Sequence, residues 1–124
     1  MADRVFKGAV VLPDRIIEDG WVLAADGVVQ RVGQGAAPAG EVEGGAGFLV
    51  LPGAIDAQTH SRSQKDQEDF VWSTKSAAAG GVTTIVDMPY DEGNLVCSAE
   101  AVKIKVDHAS PQARVDFALY GTVD

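Results

Sequence analysis

The chain has 124 residues, a net charge of -8 and 46% hydrophobic residues, the make-up of one folded domain or part of one rather than of a disordered segment. It has no basic run, and aromatics are 6% of it, so nucleic acid and anionic membrane surfaces are poor partners. A single cysteine, Cys97, forbids an intrachain disulfide and suits a reducing cytoplasm.

Residues 1–11 lack a basic stretch followed by a long apolar core, so no signal peptide is expected. No run is long enough to span a bilayer. Short apolar runs then alternate with turn dipeptides. Val5–Val11 precedes Pro13-Asp14, Arg15–Ile17 precedes Asp19-Gly20, and Trp21–Ala25 precedes Asp26-Gly27. Asp-Gly pairs between β-prone runs signal hairpins, because the turn needs positive φ. Val28–Val32 leads into a Gly/Ala/Pro stretch. These features predict small antiparallel β structure to about residue 47, with a loop over Gln34–Gly47 and at most a short strand at Glu41–Glu43.

The pattern changes near Pro52. Phe48–Ile55 reads as a buried strand broken at Pro52-Gly53. Asp66 is a candidate cap for a helix running through Phe70 and Trp72 to Ala79, ended by Gly80-Gly81. Val82–Met88 is a β-branched run typical of a strand covered on both faces. Ser98 is a good N-cap for a second helix, with Glu100 in its first turn and Val102, Val106 and Ala109 on one face. Val102, Ile104 and Val106 also alternate as in a strand; the cap and the need for a crossover favour helix. Val115–Thr122 is the next strand. The order β-α-β-α-β implies a parallel sheet with right-handed crossovers.

Ligands of such sheets bind at the carboxyl ends of the strands. The segments there are Asp56–Arg62, Asp87–Asp91 and Tyr120–Asp124. Residues two apart on an extended strand point the same way, so Gln58 and His60 could address one ion. Gln58 offers a neutral amide oxygen, a much weaker ligand for a transition metal than a second imidazole. Asp56 either orients a ligand from behind or bonds nearby backbone. Asp87 reads first as a structural carboxylate at a strand end, and Tyr90 as pocket lining or packing. Arg62 is a carboxylate clamp or a surface arginine paired with Asp66 or Glu68. His108 reads as solvated at a helix end, and nothing near Cys97 suggests a base that would activate it.

Leu51-Pro52-Gly53-Ala54-Ile55-Asp56-Ala57-Gln58-Thr59-His60 resembles the opening motif of dihydroorotases, hydantoinases (dihydropyrimidinases) and allantoinases, in which Pro-Gly-x-Ile-Asp precedes His-x-His. Ala77-Ala78-Ala79-Gly80-Gly81-Val82-Thr83-Thr84-Ile85-Val86-Asp87-Met88-Pro89 is similar to the first helix and second strand of the same families. The N-terminal region resembles their small β-sandwich, which a C-terminal segment completes. The resemblance covers essentially the whole chain and places it in the amidohydrolase superfamily. It implies an α/β fold. Residues 51–124 would begin an incomplete TIM-type (β/α)8 barrel, with its first three strands and two helices. An N-terminal antiparallel β-sandwich portion, residues 1–50, would precede it. A full barrel needs about 250 residues.

The reaction the resemblance implies is hydrolysis of a ring amide by a divalent metal, zinc above all, that activates water and polarises the carbonyl. His60 matches the second histidine of the opening motif, and Gln58 stands where the first would be. Arg62 matches the arginine by which dihydroorotases hold a substrate carboxylate, a task suited to a two-point guanidinium. Tyr90 replaces the asparagine that follows Met-Pro in dihydroorotases, which turns the reading toward an allantoinase- or hydantoinase-like enzyme. The bridging lysine, later histidines and catalytic aspartate of relatives lie beyond Asp124. The expectation is thus a truncated chain with no catalytic residue of its own, no stably bound metal, and exposed apolar faces that favour a homo-oligomer. The small cyclic amide would be a substrate of the parent. Gln58 also supports another reading, a non-catalytic amidohydrolase-like scaffold or partner subunit. The third is a shortened reading frame with no function.

Overall fold

The computed structural model describes residues 3–64, 66 and 68–123; Asp124 falls outside them. The chain forms two compact units, Met1–Pro52 and Gly53–Asp124.

The first unit is a four-stranded sheet of β1 (Arg4–Val11), β2 (Ile16–Ala25), β3 (Val28–Gln34) and β4 (Glu41–Val50), in the order β3-β2-β1-β4. Asp26-Gly27 makes the β2–β3 hairpin with φ of 51° and 78°, the double positive φ of a tight hairpin turn. Three expectations are corrected here. The sheet is mixed, not antiparallel, because β1 pairs with β4 in parallel. Asp19-Gly20 is not a turn: β2 runs straight through it, and Asp19 takes φ 49° where the β1–β2 register shifts between Gly8 and Val10. The stretch expected to be a loop contributes β4. Lys7 pairs with Gly44 and Ala9 with Leu49, so β4 bulges between these points, and its glycines supply the positive φ values that such a departure needs. Val5, Val10 and Trp21 are buried, and the Arg31 guanidinium lies 5.5 Å from the Trp21 ring centre.

The second unit contains β5 (Ala54–Thr59), α1 (Asp69–Ala79), β6 (Val82–Asp87), a small hairpin of β7 (Tyr90–Asp91) and β8 (Asn94–Leu95), α2 (Ala99–Ala109) and β9 (Asp116–Leu119). β5, β6 and β9 form a parallel sheet in that order. Gly53 lets the chain pass close to β6 at its entrance, since a Cβ there would overlap the Thr83 side chain. Phe70 of α1, Ile85 of β6 and Ala109 of α2 make the core, with Val115, Phe117 and Leu119 packed against it. Both helices therefore cover the same face, as right-handed crossovers in one direction require.

Ser98 caps α2 by accepting from the Ala101 amide at 3.1 Å. Asp66 does not cap α1. Glu68 holds that position without a side-chain hydrogen bond, and the Asp69 carboxylate accepts from the Phe70 amide at 2.7 Å. Gly81, at φ 81°, supplies the left-handed residue after α1. The buried face of α2 is Ala101, Lys105 and Ala109, while Val102 and Val106 are exposed. The run Phe48–Ile55 is not a buried strand. β4 ends at Val50, and Phe48, Leu49, Leu51 and Ile55 are exposed. β5 is an edge strand, paired with β6 on one side. No helix among the described residues is long and apolar enough to cross a membrane.

Candidate site at the carboxyl ends of the parallel strands

β5 and β6 end side by side, and their last residues are tied by one carboxylate. On β6, residues two apart share a face, so Asp87 points to the helix-covered side as Ile85 does, and both are buried. Asp87 Oδ1 accepts from the Thr59 hydroxyl, the Ser61 amide and the Ser61 hydroxyl, each at 2.9 Å. These residues flank His60, so the carboxylate fixes the backbone on both sides of it. Ser73 of α1 donates to the Ser61 hydroxyl at 2.9 Å, which attaches the same segment to the helix.

The other oxygen of Asp87 lies 2.7 Å from the ammonium of Lys105, an ion pair not aligned as a hydrogen bond. Lys105 is fully buried. It donates to Asp91 Oδ1 at 2.5 Å and to the Met88 carbonyl at 2.6 Å, so three oxygens surround its three protons. Asp91 Oδ2 is buried without a hydrogen bond and faces Arg62 Nη1 at 3.7 Å. Arg62 Nε is 3.8 Å from Asp69 Oδ2, and Asp69 in turn meets His108 Nε2 at 2.8 Å. A continuous run of charged side chains thus links α2, the strand ends and the start of α1.

His60 is exposed, with Nδ1 2.8 Å from the Ser63 hydroxyl. Gln58 is exposed on β5. Asp56 accepts from the Gln58 amide at 3.0 Å, the backbone contact of its two readings. Arg62 pairs with Asp69 and Asp91. Tyr90 is half exposed on β7. His108 is not simply solvated: it is partly buried against Asp69 and edge-on to Phe70. Cys97 is exposed. Among the described residues, no three His, Cys, Asp or Glu side chains are placed to hold a metal ion.

Sequence reasoning assigned Lys105 no role, and the structure buries it. Alanines four residues to either side, Ala101 and Ala109, mark the face on which it lies. A lysine centred on a small-residue face must find carboxylates, and the Asp87–Asp91 strand end supplies them.

The sequence is 39% identical over 130 residues to the allantoinase of Rubrobacter xylanophilus, covering 98% of this chain and 27% of that protein. It is 34% identical over 131 residues to the dihydropyrimidinase of Rattus norvegicus, covering 96% and 25%. The solved dihydropyrimidinase from Brevibacillus agri NCHU1002 matches with a TM-score of 0.77 at 28% identity, over 95% of this chain and 26% of that one. A D-hydantoinase structure matches with a TM-score of 0.74 at 26% identity, over 94% and 26%. No family model matches. The chain spans about a quarter of the length of the relatives it matches. By sequence and fold together, it belongs to the cyclic amidohydrolase group that includes allantoinases, dihydropyrimidinases and D-hydantoinases.

Proposed function

We propose that this chain is the opening part of a hydrolase that cleaves a carbon–nitrogen bond of a cyclic amide, of the allantoinase or hydantoinase kind. The observation that carries this reading is the match to an allantoinase at 39% identity through 98% of the chain. In this reading β5, β6 and β9 are the first strands of a TIM-type barrel, and their carboxyl ends form part of its ligand-binding rim. His60 and Arg62 stand on that rim. Ser63 engages Nδ1 of His60 and orients the ring to present Nε2. Arg62 sits beyond hydrogen-bond length from both its carboxylates, so it can turn to a substrate group without breaking a short bond. Tyr90 lines the same rim.

The donors for a metal are one imidazole, His60, and one neutral amide, Gln58. A hydrolytic zinc site takes three protein ligands, so this set does not hold the ion by itself and no chemical step is assigned to it. The divalent metal, zinc in our reading, belongs to a larger protein in which other residues join His60. The single exposed Cys97 fits a cytoplasmic protein. The exposed apolar residues around β5 fit a chain that self-associates when isolated.

Two experiments test the reading. The 124-residue chain, given zinc and allantoin or hydantoin, is expected to open neither ring above a metal-only blank; turnover would show that it carries its own catalytic set. Second, the chain replaces its matching segment in the Rubrobacter xylanophilus allantoinase, with and without Gln58→His. The substitution is expected to raise allantoin hydrolysis by about tenfold or more, since even residues that only support a metal ligand act on that scale. Folded chimeras that are both inactive would sink the enzyme reading. They would favour a non-catalytic scaffold or partner subunit, the reading that Gln58 supports.

A further inference from the structure

We infer that Lys105 is a positioning residue for the site at the ends of β5 and β6, an inference that rests on the reading of that rim as the site. Its ammonium is enclosed by Asp87 Oδ2, Asp91 Oδ1 and the Met88 carbonyl. With two hydrogen bonds, to Asp91 and Met88, and an ion pair to Asp87, all inside the fold, it is not placed to exchange protons with a substrate. What it does is set the direction of two carboxylates. By taking Oδ2 of Asp87 it leaves Oδ1 aimed at Thr59 and Ser61, which bracket His60. By taking Oδ1 of Asp91 it leaves Oδ2 facing Arg62. The Arg62 carbonyl also accepts from the Glu92 amide at 3.0 Å, so the residue after Asp91 holds the same segment. One side chain on α2 therefore governs both candidates, the exposed His60 and the partly buried Arg62, through the two aspartates.

The burial pattern supports this role over plain helix packing. Apolar residues in place of all three charges, Lys105, Asp87 and Asp91, would fill the same space with less desolvation cost, since buried ion pairs seldom exceed hydrophobic replacements in stability. What an apolar residue cannot do is orient Asp87 and Asp91.

The test is amide hydrogen exchange and His60 imidazole NMR on the full 124-residue chain. With Lys105→Met, exchange at the Ser61 and Glu92 amides is expected to rise by about tenfold more than at Ile85, the scale of one charge-assisted hydrogen bond. The His60 ring resonances should shift, while Val5 and Val10 in the other unit keep their protection. Equal loss of protection across residues 53–123, with a folded variant, would make Lys105 a structural residue and overturn the inference. If Lys105→Met does not fold, Asp91→Asn decides. It keeps the Asp87 and Met88 contacts of Lys105 and should selectively deprotect Glu92; unchanged Glu92 exchange would overturn the inference. These readouts need no turnover, so they stand apart from the chimera assay, where failure would instead remove the hydrolase reading.

Discussion

The two units of this chain are built on opposite economies of charge. In residues 3–52 the sheet ladders bring long runs of backbone together, and the buried side chains are apolar: Val5, Val10 and Trp21. Its ion pairs, such as Arg4 with Glu43, lie on the exposed surface and contribute little. In residues 53–123 an apolar core of Phe70, Ile85 and Ala109 adjoins a fully buried lysine between two buried aspartates. Burying those charges is costly, and the arrangement is tolerated because each partner answers another. Specific side-chain direction is thus concentrated where β5 and β6 end, in the unit that carries the candidate site.

The comparison can be broken most sharply by removing one charge or one ring. Lys105→Met should destabilise the second unit by about 3–5 kcal/mol, because it strands Asp87 and Asp91 in the interior, with the Ser61 and Glu92 amides losing about tenfold more protection than Ile85. Urea unfolding followed by exchange at Ile85 should show this, while exchange at Val5 and Val10 reports an unchanged first unit. Trp21→Ala should do the converse, costing the first unit about 3–5 kcal/mol through the cavity it leaves, with Ile85 protection unaltered. If either substitution lowers both units equally, the units fold as one and the contrast is lost. Gly53→Ala should cost about 1–3 kcal/mol, because the new Cβ must displace Thr83; Gly53→Ala combined with Thr83→Gly should recover most of it in the same urea titration. Ser98→Ala should cost about 1 kcal/mol, seen as faster exchange of the Ala101 amide that Ser98 holds.

Much of the second unit was legible because its signals are local. Ser98 before a first turn carrying Glu100, paired glycines after Ala79 and a β-branched run from Val82 each act through capping or backbone sterics over a few residues. The Asp26-Gly27 hairpin was legible for the same reason. The Asp19-Gly20 pair misled, since the same positive φ serves a turn or an irregularity inside a strand, and the difference is made by the partner strand. β4 was hidden because glycines that mark a loop also permit a bulged strand, and its pairing with β1 joins residues 37 positions apart or more.

By itself the sequence put His60 and Arg62 in the segment after the first parallel strand and Asp87 and Tyr90 around the end of the second, but it ended the first strand at Ile55, whereas β5 runs over Ala54–Thr59. Local periodicity and turn chemistry suffice for that. Tertiary structure alone decided that the first sheet is mixed, that Asp87 reaches Thr59 across 28 residues, and that Lys105 lies inside. The physical reason is that a buried charge takes its meaning from partners distant along the chain, and no pattern within a single helix says whether a lysine faces water or two carboxylates.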